Sequence, residues 1–507
     1  MVKTSPRLGR PTPEKNITIE IPGVKIKIPR EGLTLEALEE MIFDIVCTQG
    51  RNAMMATLSE YDRMLGKERM RGLLKNIGKK IKYLQTRLGE ISYRRTLYKE
   101  KDTGKPRYLL DEALKVARNQ RMSLKIARIF GTLASVEAYR GVAEQISQLL
   151  GIHYSHEAIR QNVIKEGLRI EGQETKELEK VKLLDYKLPA EIPDVVYTET
   201  DATYIRKQQR GKKRGRKKRH FEVKLGLNYT GKESRYKTGK GGSQRLKGKS
   251  IYVGIRPGRK SFLERLSYIS ERDYGVSVAK KSYFGGDGDT WIRTGQREYF
   301  PRAEYLLCLY HLFERLREAF GGKKEQQAKI KSLFEASRVQ EALMEIGKAA
   351  EEEQEEKERE LIREYYGYVK NNRAGIEASI RMRTDKGRRS AGAVEPNIDK
   401  TIAHRFKKRG MSWSEDGATA LLKIRQVIFN GEWDDWWYER RDRKIEVKAV
   451  FKPPLSSKAL CKRQEVMPYI EATIPCYRGP DHSRPWVGVI RELSRANLLK
   501  ERRVTID

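Results

Sequence analysis

Four cysteines in 507 residues, Cys47, Cys308, Cys461 and Cys476, are too few for a disulfide framework and fit a reducing compartment. Long apolar runs are missing too, and none approaches the roughly 20 residues that a spanning helix needs, so no membrane partner is expected. The opening stretch MVKTSPRLGRPTPEKN has no apolar core of signal-peptide kind, which makes a cytoplasmic, nucleoid-associated protein the expectation. Acid is scarce relative to base: 69 Asp and Glu stand against 105 Lys and Arg, a formal net charge of +36. Such a field draws polyanions in, although a basic ribosome-associated protein would carry the same charge. The length implies several domains.

Against that basic background, three acids stand in unusual settings. Asp201 lies inside VVYTETDATYI, a β-branched and aromatic run that reads as a strand, where Asp is a poor fit. Asp287 follows KKSYF and a glycine pair, so it sits where a strand stops at a turn. Glu395 precedes Ile398, Ile402 and Phe406 at helical spacing, which places it in a helix's first turn. Carboxylates from three separate elements suit Mg2+ or Mn2+, and two such ions roughly 3.5 to 4 Å apart can drive an in-line phosphoryl displacement. Asp289, two residues on, is an alternative to Asp287.

The pattern after Asp201 predicts strands at 220 to 230 and 250 to 255, a helix around SFLERLSYISERDYG, the glycine-tipped strand, a short helix and a strand at 303 to 311 ending in Cys308 and His311. That is the element order of a ribonuclease H-like α/β domain with a mixed sheet. Cys308-x-x-His311 has no second Cys or His pair nearby, which speaks against structural zinc. Upstream, residues 139 to 150 and a second helix capped by Ser155 read as a helix-turn-helix, with Arg160, Gln161 and Lys165 outward and Ile159 and Val163 inward. The stretch from Leu33 to about Leu88 reads as helical.

From about residue 87 to about 426 the chain resembles the DDE transposases of bacterial and archaeal insertion sequences, closest to the ISLre-two group and related to Mutator-like transposases. The resemblance rests on LGEISYRRTLYKEKDTGKPRYLLDEAL, the helix-turn-helix, Asp201, the GDG element with Trp291, Cys308-x-x-His311, and Glu395 followed by GMSWSEDGA and LLKIR. It implies two Mg2+ or Mn2+ ions per site on Asp201, Asp287 and Glu395, double-stranded DNA as partner, and a homo-oligomer on paired ends. Supporting positions fall to His311, Trp291 and Arg405. Asp289 stands where the resemblance leads one to expect a small residue. A nuclease would use the same acids without strand transfer, and a retired copy would bind DNA only.

The expected division is 1–86 (hairpin and basic helical arm), 87–190 (hairpin and helix-turn-helix), 191–311 (catalytic core), 312–390 (helical insertion, as the resemblance implies), 391–430 (last core helices) and 431–507 (no assigned role). Ten of the fourteen residues at 206–219 are basic: Arg206, Lys207, Arg210, Lys212, Lys213, Arg214, Arg216, Lys217, Lys218 and Arg219. Five residues past Asp201, this run is a candidate phosphate clamp beside the acids. Trp291 and Trp413 flank two of the motifs, and core packing is the commoner fate of Trp.

Overall fold

The computed structural model describes residues 34–69, 72–208, 219–234, 244–384, 391–408 and 410–438. The described residues of one compact unit fall within Met1–Lys80 and Tyr93–Leu110, those of the other within Ile81–Ser92 and Asp111–Ile445.

In the first unit, helix α1 (Leu35–Glu68) starts where the Thr34 hydroxyl accepts from the Ala37 amide at 3.2 Å. Near its end the buried Asp62 accepts from the Thr96 amide at 3.1 Å and from the Thr96 hydroxyl at 2.6 Å. Helix does not continue to Leu88 as expected: β1 (Leu74–Thr86), β2 (Gly89–Glu100) and β3 (Pro106–Arg107) form a sheet in that order. Gly78 takes φ +119°, which breaks a helix, and Lys82, Leu84 and Thr86 are buried at alternate positions, the period of a strand.

After the three strands come α2 (Leu109–Ala113), α3 (Leu124–Ala134), α4 (Tyr139–Leu150) and α5 (His156–Lys182). Gly151 closes α4 in the left-handed region, and the Ser155 hydroxyl accepts from Ala158 N at 3.1 Å to open α5. Ile126, Phe130, Val142, Ile146, Ile159 and Val163 meet in one buried cluster, so α3, α4 and α5 pack as a three-helix group.

A mixed sheet follows, as the alternating apolar runs predict. Its elements are β4 (Val195–Arg206), β5 (His220–Tyr229), a ribbon of β6 (Gly231–Ser234) and β7 (Gln244–Lys247), β8 (Ser250–Gly254), α6 (Arg259–Tyr274), β9 (Lys281–Gly286), α7 (Thr290–Tyr299) and β10 (Glu304–Leu307). The five-stranded order is β10-β9-β4-β5-β8. β5 runs antiparallel to both neighbours, while β9 and β10 run parallel to β4.

Strand β10 stops at Leu307, four residues before the expected end at His311. Leu309, Leu312 and Leu316 bury at helical spacing in α8 (Leu309–Phe320), and that apolar stripe converts the run to helix with Cys308 at its N-cap. Helices α9 (Lys324–Glu335), α10 (Val339–Glu352) and α11 (Glu356–Thr384) close a second core with α8 around Leu316, Phe334, Ile346 and Val369. Then come α12 (Val394–Ile398), a wide π-type turn at Asp399–Ala403, α13 (His404–Phe406), α14 (Glu415–Phe429) and α15 (Trp433–Tyr438). α14 is buried along most of its length against α5 and β8.

Candidate active site

Asp201, Asp287 and Glu395 come together from β4, the end of β9 and α12. Glu199 pairs with Gly285 in the parallel register, the last pair of that ladder, so Asp201 and Asp287 each stand two residues beyond it, close enough for the charge of Asp287 to act on Asp201. Leu307 pairs with Gly286, which brings Cys308 level with Asp287 on the third strand, and its amide donates to the Gly286 carbonyl at 2.8 Å. Asp287 and Cys308 thus directly follow the carboxyl ends of β9 and β10, beside the strand that carries Asp201 in its interior.

Glu395 reaches this edge because its segment is fastened to β4. One oxygen of Glu199, itself 2 % exposed, accepts from three consecutive amides, Gly392 at 3.0 Å, Ala393 at 2.8 Å and Val394 at 3.0 Å. The other accepts from the Tyr229 hydroxyl at 2.5 Å. Such a run of amides is an anion nest, and Gly392 at φ +131° supplies the backbone that makes it. Gly285 leaves the room: a Cβ there would lie 2.8 Å from Ala391 Cβ and 2.9 Å from Glu199 Cγ. Burial raises the Glu199 carboxyl above the usual range, against the pull of Tyr229 and the amides.

The electrostatics tie the acids to one another. Burial first, then the charge of Asp287, push Asp201 up to about 6, with His311 pulling down and Glu395 adding to the rise. Asp287 is likewise raised by burial, opposed by the Asp289 amide, which donates to its Oδ1 at 2.9 Å. Against its burial, contacts with His311 and Cys308 hold Glu395 below the usual range. The Cys308 thiol donates to Glu395 Oε1 at 2.9 Å, and His311 Nδ1 lies 3.3 Å from the same oxygen without hydrogen-bond alignment. Against its own burial, Glu395, Asp201 and Asp287 together raise the His311 imidazole. Potential ligand atoms of Cys308, His311 and Glu395 all lie within 4.8 Å of one another, a geometry that could hold a metal ion. The third donor lies 84 residues from His311, so spacing alone could not reveal the cluster.

Asp289 stands apart. It caps α7 and lies 3.5 Å from the Arg315 guanidinium. Arg315 stacks on the Tyr368 ring at 4.3 Å, and the Tyr368 hydroxyl donates to the Asp287 carbonyl at 2.7 Å. In this way α11 of the helical segment buttresses the Asp287 turn. Sequence reasoning missed Glu199, Tyr229, Arg315 and Tyr368. Only Glu199 left a signal, a second acid two residues before Asp201 and therefore on the same face of the strand.

The other expected site residues are scattered. Arg405 does not reach the acids: it is 2 % exposed and donates to the Ala134 carbonyl at 3.0 Å and the Glu137 carbonyl at 2.8 Å. Trp413 is buried against Phe406, which removes it as a base-stacking surface, and Trp291 packs at the edge of the α6 and α7 core beneath Arg259. In α5, Gln161 and Lys165 are exposed, while Arg160 is half-buried and holds Glu157 through two bonds of 2.7 Å. Arg160 and Gln161 together lower the Glu157 carboxyl to about 2. Arg206, Lys207 and Arg219 are exposed at the ends of β4 and β5, and Lys207 N bonds the Arg219 carbonyl at 2.8 Å. Arg210, Lys212, Lys213, Arg214, Arg216, Lys217 and Lys218 lie outside the described residues, as do the expected hairpin before residue 30 and residues 439–507.

A family model described as an uncharacterised protein family, UPF0236, matches residues 28–442. Similar proteins occur in Caldanaerobacter subterraneus subsp. tengcongensis. One UPF0236 protein is 27% identical over 428 residues, covering 82% of each chain, and another is 27% identical, covering 82% of this chain and 83% of its own. A third, 26% identical over the same length and 82% of each chain, has a name made of eleven locus designations. No helix among the described residues is long and apolar enough to cross a membrane.

Proposed function

The chain belongs to the UPF0236 family, and we propose that it is a DDE-type transposase of an insertion sequence, with Asp201, Asp287 and Glu395 as its metal-binding acids. The observation that carries this reading is the convergence of those three carboxylates at one sheet edge, two of them on parallel strands in step and the third pinned there by Glu199.

Further support comes from the sheet. Numbered along the chain, its five strands stand in the order 5-4-1-2-3 with only the second reversed, which is the arrangement of ribonuclease H-like domains. A relative named for eleven loci in one genome is what a self-copying element leaves behind. The net charge of +36 suits double-stranded DNA, and α4 and α5 suit a helix-turn-helix with Gln161 and Lys165 toward the groove. Paired element ends imply two or more copies of the chain.

The donor set fits hard divalent cations: burial and the charge of Asp287 raise Asp201, and burial and the charge of Asp289 raise Asp287, the signature of a site short of positive charge. Mg2+ or Mn2+ bound by Asp201, Asp287 and Glu395 would supply activation of the attacking and leaving oxygens. The chain's own contribution is positional. Glu199 and Gly392 hold Glu395 in place, Tyr368 braces the Asp287 turn, and the exposed cations at the ends of β4 and β5 engage the DNA backbone. In the reaction, water displaces one phosphodiester oxygen at the element's end, and the freed 3′-hydroxyl displaces another in target DNA.

The test is incubation of the protein with Mg2+ and a duplex carrying the element's end, beside Asp201→Asn, Asp287→Asn and Glu395→Gln. Cleavage and strand joining lost in all three variants are expected. Cleavage without joining would make the protein a nuclease, and binding without cleavage a DNA-binding protein.

A further inference from the structure

We propose that Cys308, His311 and Glu395 form a second kind of metal site, selective for a soft divalent cation of the zinc class, and that an ion held there competes with hard-metal binding at Asp201 and Asp287. The site stands on its own geometry; the competition rests on the role given to Glu395 above.

Thiolate and imidazole favour zinc over magnesium, whereas Asp201 and Asp287 offer only hard oxygen. The two donor types therefore divide around Glu395. Cys308 at the N-cap of α8 and His311 in its first turn are three residues apart, so both side chains lie on one face of the helix. Glu395 meets them from α12 with a single oxygen, at 2.9 Å from the sulfur and 3.3 Å from Nδ1. Zinc bonds of roughly 2.0 to 2.3 Å at tetrahedral angles require donors about 3.3 to 3.7 Å apart, so a shift of less than an ångström opens the space. His311 Nδ1 is buried and makes no aligned hydrogen bond. Zinc entering would displace the Cys308 proton to solvent and leave a fourth position for water. With Glu395 drawn to α8 and a dication beside it, the hard-metal site loses one ligand and gains an electrostatic repulsion.

The experiment uses the full chain, with Co2+ as the spectroscopic stand-in and Zn2+ in equilibrium dialysis. The intact protein should give a thiolate-to-cobalt charge-transfer band together with tetrahedral visible bands. Cys308→Ser should lose that band and bind one fewer Zn2+ per chain, and His311→Ala should weaken binding at least ~100-fold. Because Cys47, Cys461 and Cys476 are also present, the site is read as the difference between the intact chain and Cys308→Ser. An unchanged band and zinc count in that variant overturn the site. For the competition, Mn2+ binding read by electron paramagnetic resonance should weaken about tenfold or more in the zinc-loaded protein, and unchanged Mn2+ affinity overturns it. The two readings fail separately: a cobalt band without Mg2+-dependent cleavage removes the transposase, and cleavage without the band removes the zinc site.

Discussion

At the scale of single residues, Asp201 and Asp287 oppose the stability of the fold that holds them. Asp201 titrates at about 6 in the metal-free protein, against about 3.9 for an unfolded Asp. A raised carboxyl pKa contributes stability below the unfolded value and loses it as pH rises through the folded one. The metal-free protein should therefore weaken between about pH 4 and 7, by on the order of 1 to 3 kcal/mol from this group. Thermal melts in chelator should show Asp201→Asn more stable than the parent at pH 7.5 and converging with it near pH 4; equal melting at both pH values would contradict the assignment. Glu199 is raised by burial as well, and what it gives the fold is an acceptor for backbone amides. Glu199→Ala leaves three buried amides without an acceptor and should cost about 2 to 4 kcal/mol, with faster amide exchange at 392–394. Glu199→Gln, whose carbonyl can still face the amides, should recover most of it. Asp201 was legible because Asp is a poor strand former, and Asp287 because a glycine pair marks the turn where its strand stops. The role of Glu199 was not, because its partners are backbone amides 193 to 195 residues away, and amides leave no mark in a sequence.

At the scale of elements, the helix bearing Glu395 is anchored at its far end too. Arg425 donates to two carbonyls of the π-type turn, those of Lys400 and Thr401, and to that of Ser135 at the end of α3. Arg405 donates to Ala134 and Glu137 at the same place. Two buried guanidiniums thus bind the carboxyl end of α3 to the segment that carries Glu395. Arg425→Met should destabilise by about 2 to 4 kcal/mol through the lost charged bonds, seen as a lower urea midpoint with an unchanged slope. Arg425→Lys, a point charge in place of a fork, should rescue little. Full recovery by Lys would show that charge alone matters there. Apolar and β-branched runs located β4, β5, β8 and β9, and helical spacing located α4. Sequence periodicity mistook the run after β10 for strand, since Leu306, Leu307, Leu309 and Leu312 satisfy both periods over so short a stretch, and only the packing of α8 against α11 decides between them.

At the scale of the whole molecule, the charge is the dominant fact, and its consequence is a dependence on salt. DNA binding by a chain with net charge +36 should fall by orders of magnitude between 50 and 200 mM salt, because each neutralised phosphate releases close to one counterion. If the run from Arg206 to Arg219 is the clamp beside the acids, each of its ten cations that meets a phosphate contributes about 0.9 to the slope of log affinity against log salt. Replacing the ten with Ser should then flatten that slope by several units, up to about 9, while leaving the order of preference among duplex sequences unchanged. A changed preference with an unchanged slope would move the run from the backbone to the bases. The same variant separates the clamp from the chemistry: with saturating DNA at low salt it should still cleave with Mg2+, since none of the ten is among the acids, and loss of cleavage at saturation would place the run inside the reaction rather than beside it.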